Sequence, residues 1–180
     1  SIYSAESDEY WRSITDETFF GSRTTVLLYT CRVSPVVRGI NANKKAHRTF
    51  IAAPPAMVEH LKGTIEFLYK NKTQVIRSRK DLENGFSENV VVISEYQLDN
   101  IKAEDLARSQ VLWLYFPSRF GLHSKGFQTI KNKLDEAEKR IVIVDSVQSI
   151  TKMTGIPDQI IVNHNPVNQL VINTVKEAFS

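Results

Sequence analysis

The feature that constrains this chain most is a series of short apolar runs that are hydrophobic at every position. They are Thr25-Val-Leu-Leu-Tyr29, Thr49-Phe-Ile-Ala-Ala53, Val90-Val-Val-Ile93, Val111-Leu-Trp-Leu-Tyr-Phe116, Ile141-Val-Ile-Val144 and Gln159-Ile-Ile-Val162. A strand with one wet face alternates apolar and polar residues, whereas a strand covered on both faces does not. Helical patterns fill the intervals, so the sequence predicts an α/β fold: a three-layer, mainly parallel sheet flanked by helices, of Rossmann-like type. A weaker run, Gln74-Val-Ile-Arg77, fits an edge strand.

The helices follow from periodicity. Met57, Leu61, Ile65 and Leu68 recur near the 3.6-residue period over Ala56 to Lys70, with Pro55 in the first turn where a missing N–H costs nothing. Phe127, Ile130, Leu134 and Ala137 stripe a second helix whose other face carries Lys131, Lys133, Asp135, Glu136 and Lys139. A short helix is predicted from Ala103 to Arg108. A last one is predicted from Pro166 to Phe179, with Asn165 as its cap and Leu170, Val171, Val175 and Phe179 inward.

At 180 residues and 42% hydrophobic content, the chain has enough apolar surface for one ordinary core. The reading divides it into an N-terminal arm with the first strand, residues 1–46, packed on an α/β domain of residues 47–180. Trp11 and Phe19-Phe20 would dock the arm, or mark a partner surface if exposed together. Gly39 to Arg48 and the turn at 121–126 are the flexible connections, and there is no internal repeat. No apolar run approaches the ~20 residues of a membrane span, and the polar start lacks a signal-peptide pattern. The expected setting is intracellular, cytoplasmic or nuclear, without membrane contact. One cysteine, Cys31, excludes an internal disulfide and a cysteine zinc cluster. Beside Arg32 it could be an activated thiol, but a lone cysteine more commonly serves as a small buried hydrophobe.

Chemistry-bearing residues are scattered. With seven glycines there is neither a G-x-G-x-x-G turn nor a G-x-x-x-x-G-K-S/T loop, the backbone cradles that dinucleotides and NTP phosphates need. A G-x-S-x-G elbow is also missing. His47, His60, His123 and His164 have no metal-ligand spacing, so no metal and no cofactor are expected. Open parallel sheets collect function at strand ends, which makes Ser94, Glu95, Asp145 and His164 the catalytic candidates; helix capping or a satisfied loop histidine is the plainer account of each. Arg77, Arg79, Lys80, Arg119 and Lys125 are candidates for contacts to nucleic-acid phosphates, against solvated loop charge as the alternative. A net charge of +3 names no partner by itself.

From Arg48 to Val147 the order of features resembles the second RecA-like domain of superfamily 2 helicases. Thr49 to Pro55 leads into a long helix as the family's strand and small-residue turn do. Lys80-Asp-Leu-Glu-Asn-Gly-Phe86 precedes a strand, and Ser94-Glu-Tyr-Gln-Leu-Asp-Asn-Ile101 stands where the family has its Thr/Ser coupling motif, here without the glycine. Gln128-Thr-Ile-Lys-Asn-Lys-Leu-Asp135 stands where the family has Gln-x-x-Gly-Arg-x-x-Arg: Gln128 is kept, Lys131 replaces the glycine, and Asn132 and Asp135 replace the arginines. Upstream, Asp8-Glu-Tyr-Trp11 and Leu28 to Pro35 resemble the family's acidic box and its following strand end.

Those arginines touch ATP phosphates in the family, so the resemblance implies a degenerate, non-hydrolysing lobe. It would bind or scaffold within a larger complex, with protein partners and with nucleic acid as a candidate ligand. Pro54 and Pro55 join the candidate contacts at the strand ends. Two other readings remain open: a Rossmann-like transferase or hydrolase with a non-standard site at the strand C-terminal ends, and a structural or assembly protein that self-associates through its aromatic arm.

Overall fold

The computed structural model describes residues 2–5, 23–28, 48–70, 72–115, 125–144 and 158–163. Within them eight strands form one sheet: β1 (Ile2–Ala5), β2 (Thr24–Leu28), β3 (Thr49–Ala53), β4 (Gln74–Ile76), β5 (Val90–Ser94), β6 (Gln110–Leu114), β7 (Lys139–Val144) and β8 (Gln159–Asn163). Their spatial order is β1-β8-β2-β7-β6-β3-β5-β4, and every pairing is parallel. All strand C-termini therefore lie at one end of the sheet. The six apolar runs are the central strands, and Gln74–Ile76 is an edge. The other edge, β1, comes from the polar start of the chain, where four residues offer no readable pattern. The first 46 residues contribute β1 and β2 to the same sheet, with β2 between β7 and β8.

Register explains the uniform hydrophobicity. Phe50 pairs with Val91 and Val111, and two residues on Ala52 pairs with Ile93 and Trp113, so these side chains share one face. That face builds a core with Leu98, Ile101, Leu106, Phe127, Ile130, Leu134 and Ala137. Ile51, Val92, Leu112 and Ile141 point to the opposite face and are equally buried. There the helix α1 (Val58–Tyr69) packs on β4 and β5, burying Val58, Leu61 and Ile65. Helices on both faces make the three-layer α/β fold. α1 follows a short 3-10 turn, Pro55–Met57, and ends at Lys70, whose left-handed backbone (φ 62°) lets its N–H reach the Glu66 carbonyl at 2.8 Å.

Three connections cover the first face. Residues 77–89 leave β4 through a 3-10 turn, Arg79–Leu82, and pack Leu82 and Phe86 on the core. A longer 3-10 helix, Glu95–Asn100, and α2 (Ala103–Leu106) join β5 to β6. α3 (Lys125–Leu134) joins β6 to β7 and packs against the Glu95–Asn100 turn. The helix predicted from Pro166 to Phe179, the docking residues Trp11, Phe19 and Phe20, and Cys31 lie outside the described residues.

The candidate site at the strand ends

β3 sends its chain toward β4, past β5, while its neighbour β6 sends its chain the other way, to β7. Such a reversal opens a crevice at the strand C-termini, the usual ligand position in an open α/β sheet. Here the crevice is bracketed by Ala53-Pro54-Pro55 and by Leu114-Tyr115. Two prolines at the entrance to α1 remove two backbone N–H donors from the place where a helix N-terminus would hold phosphate. Met57, the next residue but one, donates its N–H to the Pro54 carbonyl at 2.9 Å. Among the described residues no cationic side chain and no glycine stands at this turn, so the crevice has no phosphate cradle there.

Ser94 and Glu95 end β5, one strand from the crevice. Both are buried, and the Glu95 carboxylate turns inward: its Oε2 accepts a hydrogen bond from the Trp113 indole N–H at 3.0 Å. A buried carboxylate is costly unless it is hydrogen-bonded. Trp113 itself packs against both Tyr115 and Phe127, with ring centres 4.9 and 5.9 Å away. This bond thus ties the turn after β5 to the aromatic core. The ends of β7 and β8, beyond which Asp145 and His164 lie outside the described residues, are three and five strand positions from β5. At ~4.8 Å per strand that is about 14 and 24 Å. Proton transfer works at hydrogen-bond distance, and the described ends of β7 and β8 stand several strands away from β5.

The basic candidates cluster at the β4 end. Asp81 organises the turn by accepting the N–H groups of Arg77 (2.8 Å) and Ser78 (3.2 Å). The Arg77 side chain pairs with Glu59 in the first turn of α1, both more than half exposed. Arg79 and Lys80 are exposed, and among the described residues their side chains form no ion pair. Arg119 lies outside the described residues; Lys125 opens α3.

α3 starts beside the strand C-termini and runs toward the other end of the sheet. Over its ten residues it descends about 15 Å. Asn132 and Asp135 are exposed. Asp135 belongs to the far end: its carbonyl accepts a bond from the Arg23 guanidinium at 3.0 Å, and its carboxylate lies 4.0 Å from Arg140. Asp135, which stands in the sequence where the resembled family has its second arginine, thus lies at the end of the sheet opposite the crevice.

At that far end Arg140 donates from Nε to Thr24 Oγ1 (2.9 Å) and from Nη1 to the Leu134 carbonyl (3.0 Å), closing the C-terminus of α3 with a cation. Burial, then repulsion from Arg23, lowers its pKa below the ordinary arginine value; Asp135 and Asp158 oppose the shift. It remains protonated at neutral pH. A cleft of about 430 Å³ opens on the first face, lined by Leu82, Glu83 and Phe86 of one connection, Lys102 and Asp105 of the next, and Arg48. Arg48 is pinned there by the Glu88 carbonyl (3.0 Å) and the Phe86 ring, 4.7 Å from its guanidinium carbon. Among the described residues no group of three or more His, Cys, Asp or Glu could hold a metal ion, and no helix is long and apolar enough to cross a membrane.

No protein-family model matches the chain, and no curated protein matches its sequence. Among solved structures, the chain is similar to the UvsW helicase from bacteriophage T4, with a TM-score of 0.55 at 14% identity. The match covers 78% of this chain and 54% of that one, so this chain matches about half the length of that helicase structure. The similarity shows the fold alone: an α/β, RecA-like sheet flanked by helices.

Proposed function

We propose that this chain is a non-catalytic, helicase-lobe-like domain that holds a nucleic-acid backbone at its strand ends and works as a module of a larger assembly. One observation carries this reading. The crevice where a sheet of this kind would hold nucleotide phosphates is entered through Pro54 and Pro55, while the exposed cations Arg79 and Lys80 stand at the β4 end of the same sheet edge. Hydrolysis needs fixed donors and cations around the transferred phosphoryl group. Backbone binding needs only a few exposed cations at phosphate spacing. The missing glycine loops and the inward turn of Glu95 fit the second requirement and not the first. The likeness to a T4 helicase supports nucleic acid as the ligand class, and the matched half-length supports a partner lobe or partner protein.

The test is anisotropy of a labelled oligonucleotide titrated with the whole chain across a salt series, with ATP turnover measured in the same mixtures. Two or three phosphate contacts predict a log–log salt slope of about −1.5 to −2 on a single strand. No salt-dependent binding removes the nucleic-acid half of the reading. ATP turnover above background, lost on mutation of Ser94 or Glu95, removes the non-catalytic half.

A further inference from the structure

The cleft on the first face belongs neither to the crevice nor to the basic edge. Arg48 leads into β3, Phe86 comes just before β5, and Lys102 and Asp105 lie in the connection that enters β6. The cleft therefore opens at the N-terminal ends of the strands, opposite the crevice. Its two walls are built before any ligand arrives. In the first, Gln74 braces the chain from both sides: its Nε2 donates to the Gly85 carbonyl (3.0 Å) and its Oε1 accepts the Ser87 N–H (2.9 Å). Gly85 turns the chain there with a left-handed backbone (φ 70°). In the second, Ile101 is buried in the core with its N–H on the Leu98 carbonyl at 3.0 Å, and the Ser109 hydroxyl donates to the Asp105 carbonyl at 2.6 Å.

Charge in this cleft is left unpaired. Each wall carries one cation and one anion: Arg48 on Phe86, with Glu83, in the first, and Lys102 with Asp105 in the second. Among the described residues none of the four forms an ion pair. Arg48 is the fixed member. Its Nε is spent on the Glu88 carbonyl, and its guanidinium lies over Phe86, a ring that meets the buried Phe50 edge-on with centres 5.2 Å apart. Its Nη1 and Nη2 make no hydrogen bond among the described residues, so the contacts that close the fold also hold out a guanidinium fork. A planar fork already held in place recognises a carboxylate or a phosphate through paired N–H donors. Glu83 and Asp105 decide between the two. A phosphate group brings roughly two negative charges up to them. A carboxylate brings one, and a ligand that also carries a cation turns both acids from repulsion to attraction. Leu82, Phe86 and Ile101 give an apolar lining to whatever joins the two charges.

We infer that this cleft is a docking site for a segment of a partner protein in which an acidic and a basic side chain flank an apolar one. The carboxylate is held by Arg48 and Lys102, and the cation by Glu83 and Asp105. The inference stands whether or not the β4 edge binds nucleic acid. The experiment titrates the capped tripeptide acetyl-Glu-Leu-Lys-amide into the isotope-labelled whole chain and follows the Arg48 Nε–H and the cleft amides by NMR. Acetyl-Gln-Leu-Gln-amide and inorganic phosphate are the other probes. The expected result is saturable binding of the charged tripeptide, at least about tenfold tighter than the neutral one and tighter than phosphate. Arg48→Lys keeps the charge and loses the fork, and tripeptide binding falls at least about fivefold. Glu83→Gln together with Asp105→Asn weakens the tripeptide and strengthens phosphate, a pair of opposite changes that a merely distorted cleft would not give. Should Arg48→Lys disturb the fold, Lys102→Gln alters only an exposed side chain, and a loss of about two- to threefold in an otherwise unchanged spectrum is expected. If the tripeptide does not saturate, if the neutral probe binds equally well, or if neither cation substitution weakens binding, the inference is overturned. Tighter binding of phosphate than of the tripeptide by the parent chain overturns it too.

Discussion

The two ends of the sheet use charge differently. At the N-terminal end three arginines are committed: Arg140 bridges Thr24, Leu134 and Asp135, Arg23 reaches the Asp135 carbonyl, and Arg48 is pinned by Glu88 and Phe86. Asp158 there accepts the Thr24 N–H at 3.0 Å. At the C-terminal end of β4, Arg79 and Lys80 have no ion partner among the described residues, and Arg77 has an exposed one. These three arginines close the fold, whereas Arg79 and Lys80 are left for something outside it. The difference separates stability from binding, and it can be broken at either end.

The largest effect is expected at the closed end. Arg140→Ala leaves the Leu134 carbonyl and the Thr24 hydroxyl without their partly buried donor, and hydrogen bonds to a charged group are worth about 1.5–3 kcal/mol each. A loss of about 2–3 kcal/mol would lower the melting temperature by roughly 5–10 °C for a chain of this size, followed by circular dichroism. Below the melting range, oligonucleotide affinity should be unchanged. A loss of affinity in step with the loss of stability would mean that the two ends are not separate.

Most of the sheet was legible in advance because strands buried on both faces are written as unbroken apolar runs. Val90 to Ile93 and Ile141 to Val144 have no other good use. β1 was not legible, since Ile2-Tyr3-Ser4-Ala5 is too short to show a period. The candidate site was legible only in part. The strand-end rule led to Ser94 and Glu95, but nothing in the sequence tells an outward carboxylate from one bonded to a tryptophan 18 positions on. Nor did the motif spacing tell that Asp135 lies at the far end of the sheet, beside Arg23 and Arg140.

The open end should behave in the opposite way to Arg140. Replacing Arg79 and Lys80 together by Ala removes two exposed side chains that form no ion pair among the described residues. Stability should stay within about 0.5 kcal/mol. Binding to a single strand should weaken about tenfold at moderate salt, and the salt slope should flatten by about 1.4, which is 0.7 for each lost phosphate contact. An unchanged slope would move the phosphate contacts elsewhere on the molecule.

The smallest effect is the sharpest test, because it predicts a gain. Arg77 already has an anionic partner in Glu59, so any phosphate reaching that edge must compete with a carboxylate. More than half of each side chain is exposed, and exposed pairs of this kind contribute at most about 1 kcal/mol, so the pair itself does little for the fold. Glu59→Gln removes the competing charge and keeps the shape. Single-strand affinity should rise about two- to threefold at low salt, the gain should fade as salt screens the edge, and the melting temperature should hardly move. If the substitution instead lowers the melting temperature by several degrees and leaves affinity alone, Arg77 belongs with Arg140 as a closing charge, and the open end shrinks to Arg79 and Lys80.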